Sequence, residues 1–234
     1  MNKQILLNTL NELNISDISG VSEKLFKYLV LLKETNQKFN LTTITDDDEI
    51  LLKHFVDSVL PYRYFDFTRY ENLCDIGSGA GFPGLVLAIC FPNLIITLVE
   101  SNGKRVSFLN LVKKELGLDN VIVMNVRVED FKSARSKFDI VTARAVSQMS
   151  ILIEICVPLL KVNGQLVAYK GPNIEEELCN AENAMVQLDA RLMEVVKYEL
   201  PIKKDARSLV ILKKMKETRK KFPRPYTDIK SKPL

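Results

Sequence analysis

Residues 75–84 run Asp-Ile-Gly-Ser-Gly-Ala-Gly-Phe-Pro-Gly, with one apolar run just before (Leu73, Cys74, Ile76) and another just after (Leu85–Phe91). The order is strand, glycine turn, helix. Glycine tolerates positive φ and lets a ligand approach the backbone with no Cβ in the way. The turn delivers amide N–H groups at a helix N-terminus, which suits a nucleotide-like ligand. A dinucleotide fold asks for G-x-G-x-x-G, and after Gly77 and Gly79 that pattern meets Phe82 instead of glycine. Glu100 ends the next apolar strand, Leu94–Val99, 23 residues after Gly77. An acid at that distance can accept both hydroxyls of a ribose. A turn that only packs a helix on a sheet explains the glycines but not the placing of Glu100.

The sequence D-x-G-x-G-x-G resembles the first motif of S-adenosylmethionine-dependent methyltransferases. Residues 76–99 carry no charge, yet Pro83, Pro92, Asn93 and four glycines divide them into turn, helix and strand, which excludes a membrane span. Residues 1–3 lead into a polar-interrupted helix, unlike a signal sequence. Cys74, Cys90, Cys156 and Cys179 show neither metal-ligand spacing nor disulfide density. They fit reduced thiols in a cytoplasmic protein, and no metal site is expected.

Three segments are expected: a helical extension over 1–70, a main domain over 71–215 and a basic tail over 216–234. In the first, Ser22 is placed to cap a helix through Phe39, with Leu25, Leu29, Leu32 and Phe39 as its apolar stripe. Asp46–Asp48 open a second helix bearing Ile50, Leu51, Phe55 and Val59 on one face. Beyond Tyr70 strands are predicted at 73–76, 94–99, 121–125, 138–143 and 165–170. Helices alternate with them at 84–91, 104–116, 148–161 and 174–190, which implies a parallel sheet with right-handed crossovers. Two strands near 192–200 and 207–214 follow with no helix between, so an antiparallel hairpin closes the sheet edge. The fold class is therefore α/β: a Rossmann-like, mostly parallel seven-stranded sheet of the class I methyltransferase kind, with an antiparallel edge.

The net charge of +4 is unevenly spread: residues 216–234 hold seven Lys or Arg against two acids, +5, which leaves the body near −1. Such a tail is either a phosphate-binding element or a solvated end that aids solubility. Ligands of an open α/β sheet bind beyond the carboxyl ends of its strands. There lie the glycine loop, the segment from Glu100 to Arg105, Arg127-Val128-Glu129-Asp130, and Thr142-Ala143-Arg144-Ala145. Arg144 interrupts an otherwise uncharged stretch, 140–153, which marks it out from ordinary surface charge. That fourth segment lacks the Asn/Asp-Pro-Pro-aromatic motif used on exocyclic amines, and no cysteine lies near it for attack on a cytosine ring. A ring nitrogen with a free lone pair needs neither device; alignment and electrostatics suffice.

Taken together the chain resembles the RsmG (GidB) family of bacterial methyltransferases, which act on N7 of a guanine in 16S ribosomal RNA. The resemblance rests on Gly77 to Gly84 with the Phe-Pro-Gly ending, Asn36-x-x-x-Asn40-Leu41-Thr42, and His54-Phe55-Val56-Asp57-Ser58. It continues in Glu100-Ser101-x-x-Lys104-Arg105, Arg127-Val128-Glu129, Arg144-Ala145, Tyr169-Lys170-Gly171, Pro223-Arg224 and Lys232-Pro233-Leu234. Thr35, Thr227 and Ile229 depart from the family's usual tryptophan, glycine and proline.

The resemblance implies S-adenosylmethionine as cofactor and 16S ribosomal RNA or the small ribosomal subunit as partner, with a cytoplasmic monomer doing the work. Gly77, Gly79, Gly81, Phe82, Glu100, Val128, Glu129 and Arg144 are the expected cofactor contacts. Arg144 and Lys170 are the expected catalytic pair. Lys104, Arg105, Arg127, Arg207, Arg219, Lys220, Lys221 and Arg224 are the expected RNA contacts. His54, the one histidine, is expected to be a strut between helices and sheet, hydrogen-bonded locally near Asp57. A small-molecule methyltransferase and a non-catalytic RNA-binding module that keeps a cofactor pocket are the alternatives.

Overall fold

The computed structural model describes residues 2–234. Asn2–Glu12 (α1) and Ile18–Asn36 (α2) come first. Asp17, not Ser22, caps α2: its carboxylate accepts from the Gly20 N–H at 3.1 Å, while the Ser22 hydroxyl donates to the Ser19 carbonyl within the helix. The helix starts early because Ile18 and Val21 extend its apolar stripe onto the core. It ends at Asn36, so Phe39 lies beyond it and is 38% exposed instead of joining the stripe.

Asp46 opens the next helix as its charge predicts, accepting from the Glu49 N–H at 2.9 Å. Asp47–Ile50 (α3) then widens into a π-helical turn, Leu51–Val56, before Asp57–Val59 (α4) resumes the α-form. Such turns interrupt the regular ladder and recur at functional sites. This one carries His54 and leads directly into Asp57.

Seven strands follow: Asn72–Ile76 (β1), Ile95–Glu100 (β2), Val121–Asn125 (β3), Phe138–Arg144 (β4), Leu160–Lys170 (β5), Ala190–Glu199 (β6) and Ala206–Lys214 (β7). They form one sheet in the order β3-β2-β1-β4-β5-β7-β6, with β7 antiparallel to both of its neighbours. The expected mostly parallel seven-stranded sheet with an antiparallel edge hairpin is thus present. The order reverses between β1 and β4, and the crevice at their carboxyl ends is where such sheets bind ligands.

Helices Gly84–Cys90 (α5) and Gly103–Leu116 (α6) cover one face together with α1 and α2. Met149–Cys156 (α7), Glu175–Cys179 (α8), Glu182–Gln187 (α9) and Tyr226–Ser231 (α10) lie on the other. The α7 segment is shorter than the predicted 148–161. Pro158 cannot donate to a helix ladder, so the chain makes one 3-10 turn, Val157–Leu159, and enters β5. The predicted helix 174–190 is split at Asn180-Ala181, where a side chain that competes for backbone bonds meets a fully buried alanine.

The tail is not a free arm. Phe222 and Ile229 are buried in the core of the α7 face. Arg135 donates to the carbonyls of Phe222 (2.7 Å), Arg219 (3.0 Å) and Thr218. Glu154 on α7, with no exposed surface, accepts from the backbone N–H, Nε and Nη2 of Arg224 at 3.0, 2.8 and 2.6 Å. Arg224, expected to contact RNA, is therefore engaged as the counter-charge of a buried carboxylate.

Removing one member of a buried pair strands the other. Arg224→Ala is expected to cost about 3 kcal/mol of stability in urea denaturation. A loss below about 0.5 kcal/mol, the usual size for a surface change, would show that solvent reaches Glu154.

Candidate active site

The glycine loop begins where β1 ends. Gly77, Gly79 and Gly81 all have positive φ, at 64°, 57° and 98°, but they serve different ends. A Cβ on Gly77 would meet Val146 Cγ2 at 2.8 Å, and one on Gly81 would meet Leu85 Cδ1 at 2.4 Å and the Tyr28 hydroxyl at 2.6 Å. Gly81 is demanded by packing against buried groups, whereas at Gly77 the obstacle is the exposed Val146 side chain and the positive φ is the firmer constraint. A Cβ on Gly79 would find nothing nearer than the Gly77 carbonyl at 3.8 Å. It would point into open space, so the Gly79 backbone is the part of the loop left open beside the cavity.

Glu100, 5% exposed, fastens the loop from β2. One carboxylate oxygen accepts from the Gly79 N–H at 3.0 Å and the other from the Asn102 N–H at 2.8 Å, with Arg105 Nη1 at 3.8 Å. Each carboxylate oxygen has a further lone pair for an outside hydroxyl. Behind the loop, Asp75 accepts from the Thr142 hydroxyl at 2.8 Å and from the Gly84 N–H at 3.3 Å. Its complete burial lifts its pKa to about 6 against the pull of these donors.

Phe82 is where the N-terminal helices meet the loop. Its ring lies 5.3 Å from Tyr28 (stacked), 5.3 Å from Phe55 (edge-on) and 4.7 Å from His54 (stacked). The Arg144 guanidinium sits over it at 5.3 Å. The Tyr28 hydroxyl donates to the Ala80 carbonyl, which ties α2 to the loop backbone.

Two adjoining cavities open here. One, of about 190 Å³, is lined by Gly77, Ser78, Gly79, Phe82, Arg105 and Leu41 among others. The second, of about 480 Å³, is lined by Lys53, Asp57, Tyr169, Lys170, Glu177 and Arg207 among others. His54, Arg144 and Ala145 line both. Ala145 holds φ at 56°, a costly conformation for a residue with a Cβ. The bend falls directly after Arg144, at the end of β4.

Arg144 is the hub of the boundary. Its Nη1 donates to the Lys53 carbonyl and to Asp57 Oδ2, both at 3.1 Å, and its Nη2 lies 3.4 Å from His54 Nδ1. Burial pushes the Asp57 carboxyl up, and Arg144 and Arg207 oppose that rise. Lys170, at the end of β5, places Nζ 2.6 Å from Glu177 and 2.7 Å from the Ser147 carbonyl. Glu177 also accepts from the Met149 N–H at 3.1 Å, so it fixes the start of α7 and the position of Lys170 together.

His54 is held at both ring nitrogens. Its Nε2 lies 2.9 Å from Thr42 Oγ1 and its Nδ1 3.2 Å from the Lys53 carbonyl. Asp57 pairs with Arg144 and Arg207 instead of with His54. Burial, then the Arg144 charge, lower the imidazole pKa to about 4, so the ring is neutral at pH 7. Asp57 was missing from the expected site residues. Its signal was its place three residues after the lone histidine on one helical face.

The other expected residues divide. Arg105 borders the glycine-loop cavity, and Arg207, with Lys170, borders the larger one. Lys104 stands over the exposed Phe39 ring at 5.4 Å, and Arg127 has 62% of its side chain exposed. Val128 and Glu129 line a separate cavity with Lys220, Phe222 and Pro223 of the tail. Arg219 is engaged by Gln187, donating to its carbonyl at 2.9 Å and its amide oxygen at 2.7 Å. Lys221 lies against the Phe222 ring at 5.0 Å.

The sequence profile of the family described as rRNA small subunit methyltransferase G matches residues 21–210. The chain belongs to that family. A Lactobacillus johnsonii protein named ribosomal RNA small subunit methyltransferase G is 43% identical, with all of both chains covered. A Bacillus subtilis protein of the same name is 42% identical over 99% of this chain and 98% of its own. Among solved structures, a SAM-dependent methyltransferase from Aquifex aeolicus superposes with a TM-score of 0.57 at 16% identity, covering 75% of this chain and 97% of its own. M. jannaschii TYW2 in complex with AdoMet gives 0.54 at 15% identity, covering 67% and 74%. The structural likenesses establish the class I methyltransferase fold. Among the described residues no helix is long and apolar enough to cross a membrane.

The neutral state of His54 has a price in acid. The unfolded chain takes up a proton near pH 6.5 and the native ring only near 4, so stability falls as pH drops through that window. Asp75 works oppositely: its native pKa near 6 lies above the unfolded value of 3.8, so acidification over the same range favours the folded state. His54→Gln removes only the first effect. Relative to the parent, that variant is expected to gain about 2 kcal/mol between pH 7 and pH 4 in chemical denaturation. A stability difference that does not change with pH would mean that the native imidazole titrates as it does in the unfolded chain, so that neither burial nor Arg144 perturbs it.

Proposed function

We propose that this chain transfers the methyl group of S-adenosylmethionine to N7 of a guanine in 16S ribosomal RNA of the small ribosomal subunit, acting as a cytoplasmic monomer. The observation that carries the reading is the pair of adjoining cavities divided by Arg144. One is bordered by the open glycine cradle, which the acid Glu100 fastens through the Gly79 amide, and the other by the cations that an RNA base and its phosphates need. The family membership supplies the rest.

The Gly79 cradle and the acid beside it fit the cofactor. Gly77, Gly79, Phe82, Glu100 and Arg144 would hold it, with Glu100 accepting the ribose hydroxyls. Gly81 supports the loop from behind; Val128 and Glu129, cofactor contacts by the family resemblance, line the separate cavity against the tail. S-adenosylmethionine supplies a methyl carbon on a positively charged sulfur, an electrophile that needs no activation by an acid.

The chain's residues then have three tasks. The neutral His54 and the Phe82 ring keep the boundary compact. Arg144 and Lys170 orient the guanine through O6, leaving the N7 lone pair free to form the new N–C bond as the C–S bond breaks and sulfur keeps its electron pair. No side chain removes a proton, since N7 carries none and the product ring becomes cationic. Lys104, Arg105, Arg127, Arg207, Lys220 and Lys221 would meet RNA phosphates as a field of positive charge.

The direct test is transfer of labelled methyl to small subunits lacking the modification, with the site mapped by chemical cleavage at 7-methylguanine. Incorporation at a position other than a guanine N7 would refute the reaction.

Two substitutions separate the roles. Glu100→Ala loses charged hydrogen bonds and should weaken cofactor binding by about 1.5–3 kcal/mol in calorimetry; an unchanged dissociation constant would leave Glu100 only as the fastening of the loop. Lys170→Ala is expected to lower single-turnover methylation of RNA at least about 10-fold, about 1.4 kcal/mol on the barrier, with cofactor affinity unchanged. Arg144→Ala should damage both. The parent's single-turnover rate should be flat from about pH 6.5 to 8.5, because no group titrates in the chemical step. A sigmoid in that range abolished by His54→Gln would restore a base to the mechanism.

A further inference from the structure

Asp57 is held in an unusual state for a carboxylate. Its side chain is 7% exposed, yet it borders the larger cavity. Oδ2 accepts from Arg144 at 3.1 Å. Oδ1 is itself shielded from solvent, has no hydrogen-bonded donor and has only an ion-pair contact with Arg207 Nε at 3.4 Å, so a base reaches it when Arg207 moves aside. Buried polar atoms in native proteins are as a rule hydrogen-bonded, and an exception calls for an explanation.

We infer that Asp57 is a specificity-determining residue whose Oδ1 reads the Watson–Crick edge of the target guanine. This rests on the reaction proposed above. An ionised carboxylate can only accept hydrogen bonds. Adenine and cytosine set one amino donor beside a ring-nitrogen acceptor, and uracil sets its N–H between two carbonyls. Only guanine offers two adjacent donors, N1–H and the 2-amino group, which converge on the two lone pairs of Oδ1 while Arg144 holds Oδ2. The other bases would set an acceptor against the carboxylate beside their donor. An extruded base is commonly read along this edge.

The placement also suits the chemistry. N1 and the 2-amino group lie across the purine from N7, so a base held by Asp57 keeps its nucleophile clear of the carboxylate. As the methyl group adds, the ring becomes cationic and N1–H more acidic. The bond to Asp57 therefore strengthens between ground state and transition state, and the interaction raises kcat more than it lowers KM. Arg207 gives up its contact with Oδ1 when the base enters and is free to meet a phosphate. Arg144 keeps Oδ2 and with it the orientation of the carboxylate.

The test compares substrate RNA bearing guanine, inosine or 1-methylguanine at the target position, under single turnover with saturating cofactor. Inosine keeps N7, O6 and N1–H but lacks the 2-amino donor; 1-methylguanine has N1 blocked. The parent is expected to prefer guanine to inosine by about 10-fold and to reject 1-methylguanine more strongly. Asp57→Asn, and Asp57→Glu, which keeps the charge between the arginines, are expected to reduce the guanine-to-inosine ratio to within about twofold, mostly through kcat. A parent that methylates inosine as fast as guanine overturns the inference whether or not the variants fold. So do folded variants that are slower but keep the parent's ratio. Failure of the parent on unmodified RNA would refute the underlying reaction instead, which keeps the two failures distinct.

Discussion

The seat of Phe82 is the contact on which the rest of the site depends. A glycine loop is conformationally permissive and would wander without a clamp. Here the residue following three positive-φ glycines inserts its ring among Tyr28, Phe55 and His54, with 6% of it exposed. Aromatic groupings of this kind add directional preference to ordinary apolar burial. The loop backbone is therefore positioned by helices distant in sequence, and those helices are positioned by the loop. The N-terminal helices share one core with α5, α6 and the sheet, so they belong to the interior that carries the glycine loop as much as to the surface.

The same seat distributes charge. Arg144 covers the face of Phe82 while its guanidinium bonds to Lys53 and Asp57. A buried cation so placed depresses the neighbouring imidazole and counters the rise that burial imposes on Asp57. Burial and Arg144 together hold the histidine neutral, while Arg144 and Arg207 oppose the rise that burial imposes on the aspartate beside it. The π-helical turn before Asp57 brings both side chains to this boundary.

Much of the fold was legible because it is written in local pattern. Alternating apolar runs, the glycine turn and the missing helix before β7 suffice for the sheet and its edge. Boundaries failed where a single residue overrode the pattern: Asp17 took the cap expected of Ser22, and Pro158 ended α7 early. The site was legible in its glycine loop and in Arg144, which breaks an uncharged stretch. Asp57 was not, because an aspartate on an amphipathic helix looks like surface charge until the fold sets two arginines against it. Division of labour among the glycines was equally hidden, since only the surroundings distinguish Gly79 from Gly77 and Gly81.

Charge counting alone does not show how the carboxyl end is held. Seven basic residues in 216–234 suggest an arm that tracks a phosphate backbone. Burial of Phe222 and Ile229, and the union of Arg224 with Glu154, make much of that segment a strap across α7 instead. Arg135 grips the strap from the segment that follows Val128 and Glu129, and tail residues line a cavity with that pair. The two uses of the tail are compatible because they fall on different residues. Phe222, Arg224 and Ile229 face inward, while Lys220 and Lys221 stay at the surface. A positive field presented on a fixed strap keeps a defined orientation relative to the cavities. A flexible arm of equal charge would lose conformational entropy on binding that the strap has already lost in folding.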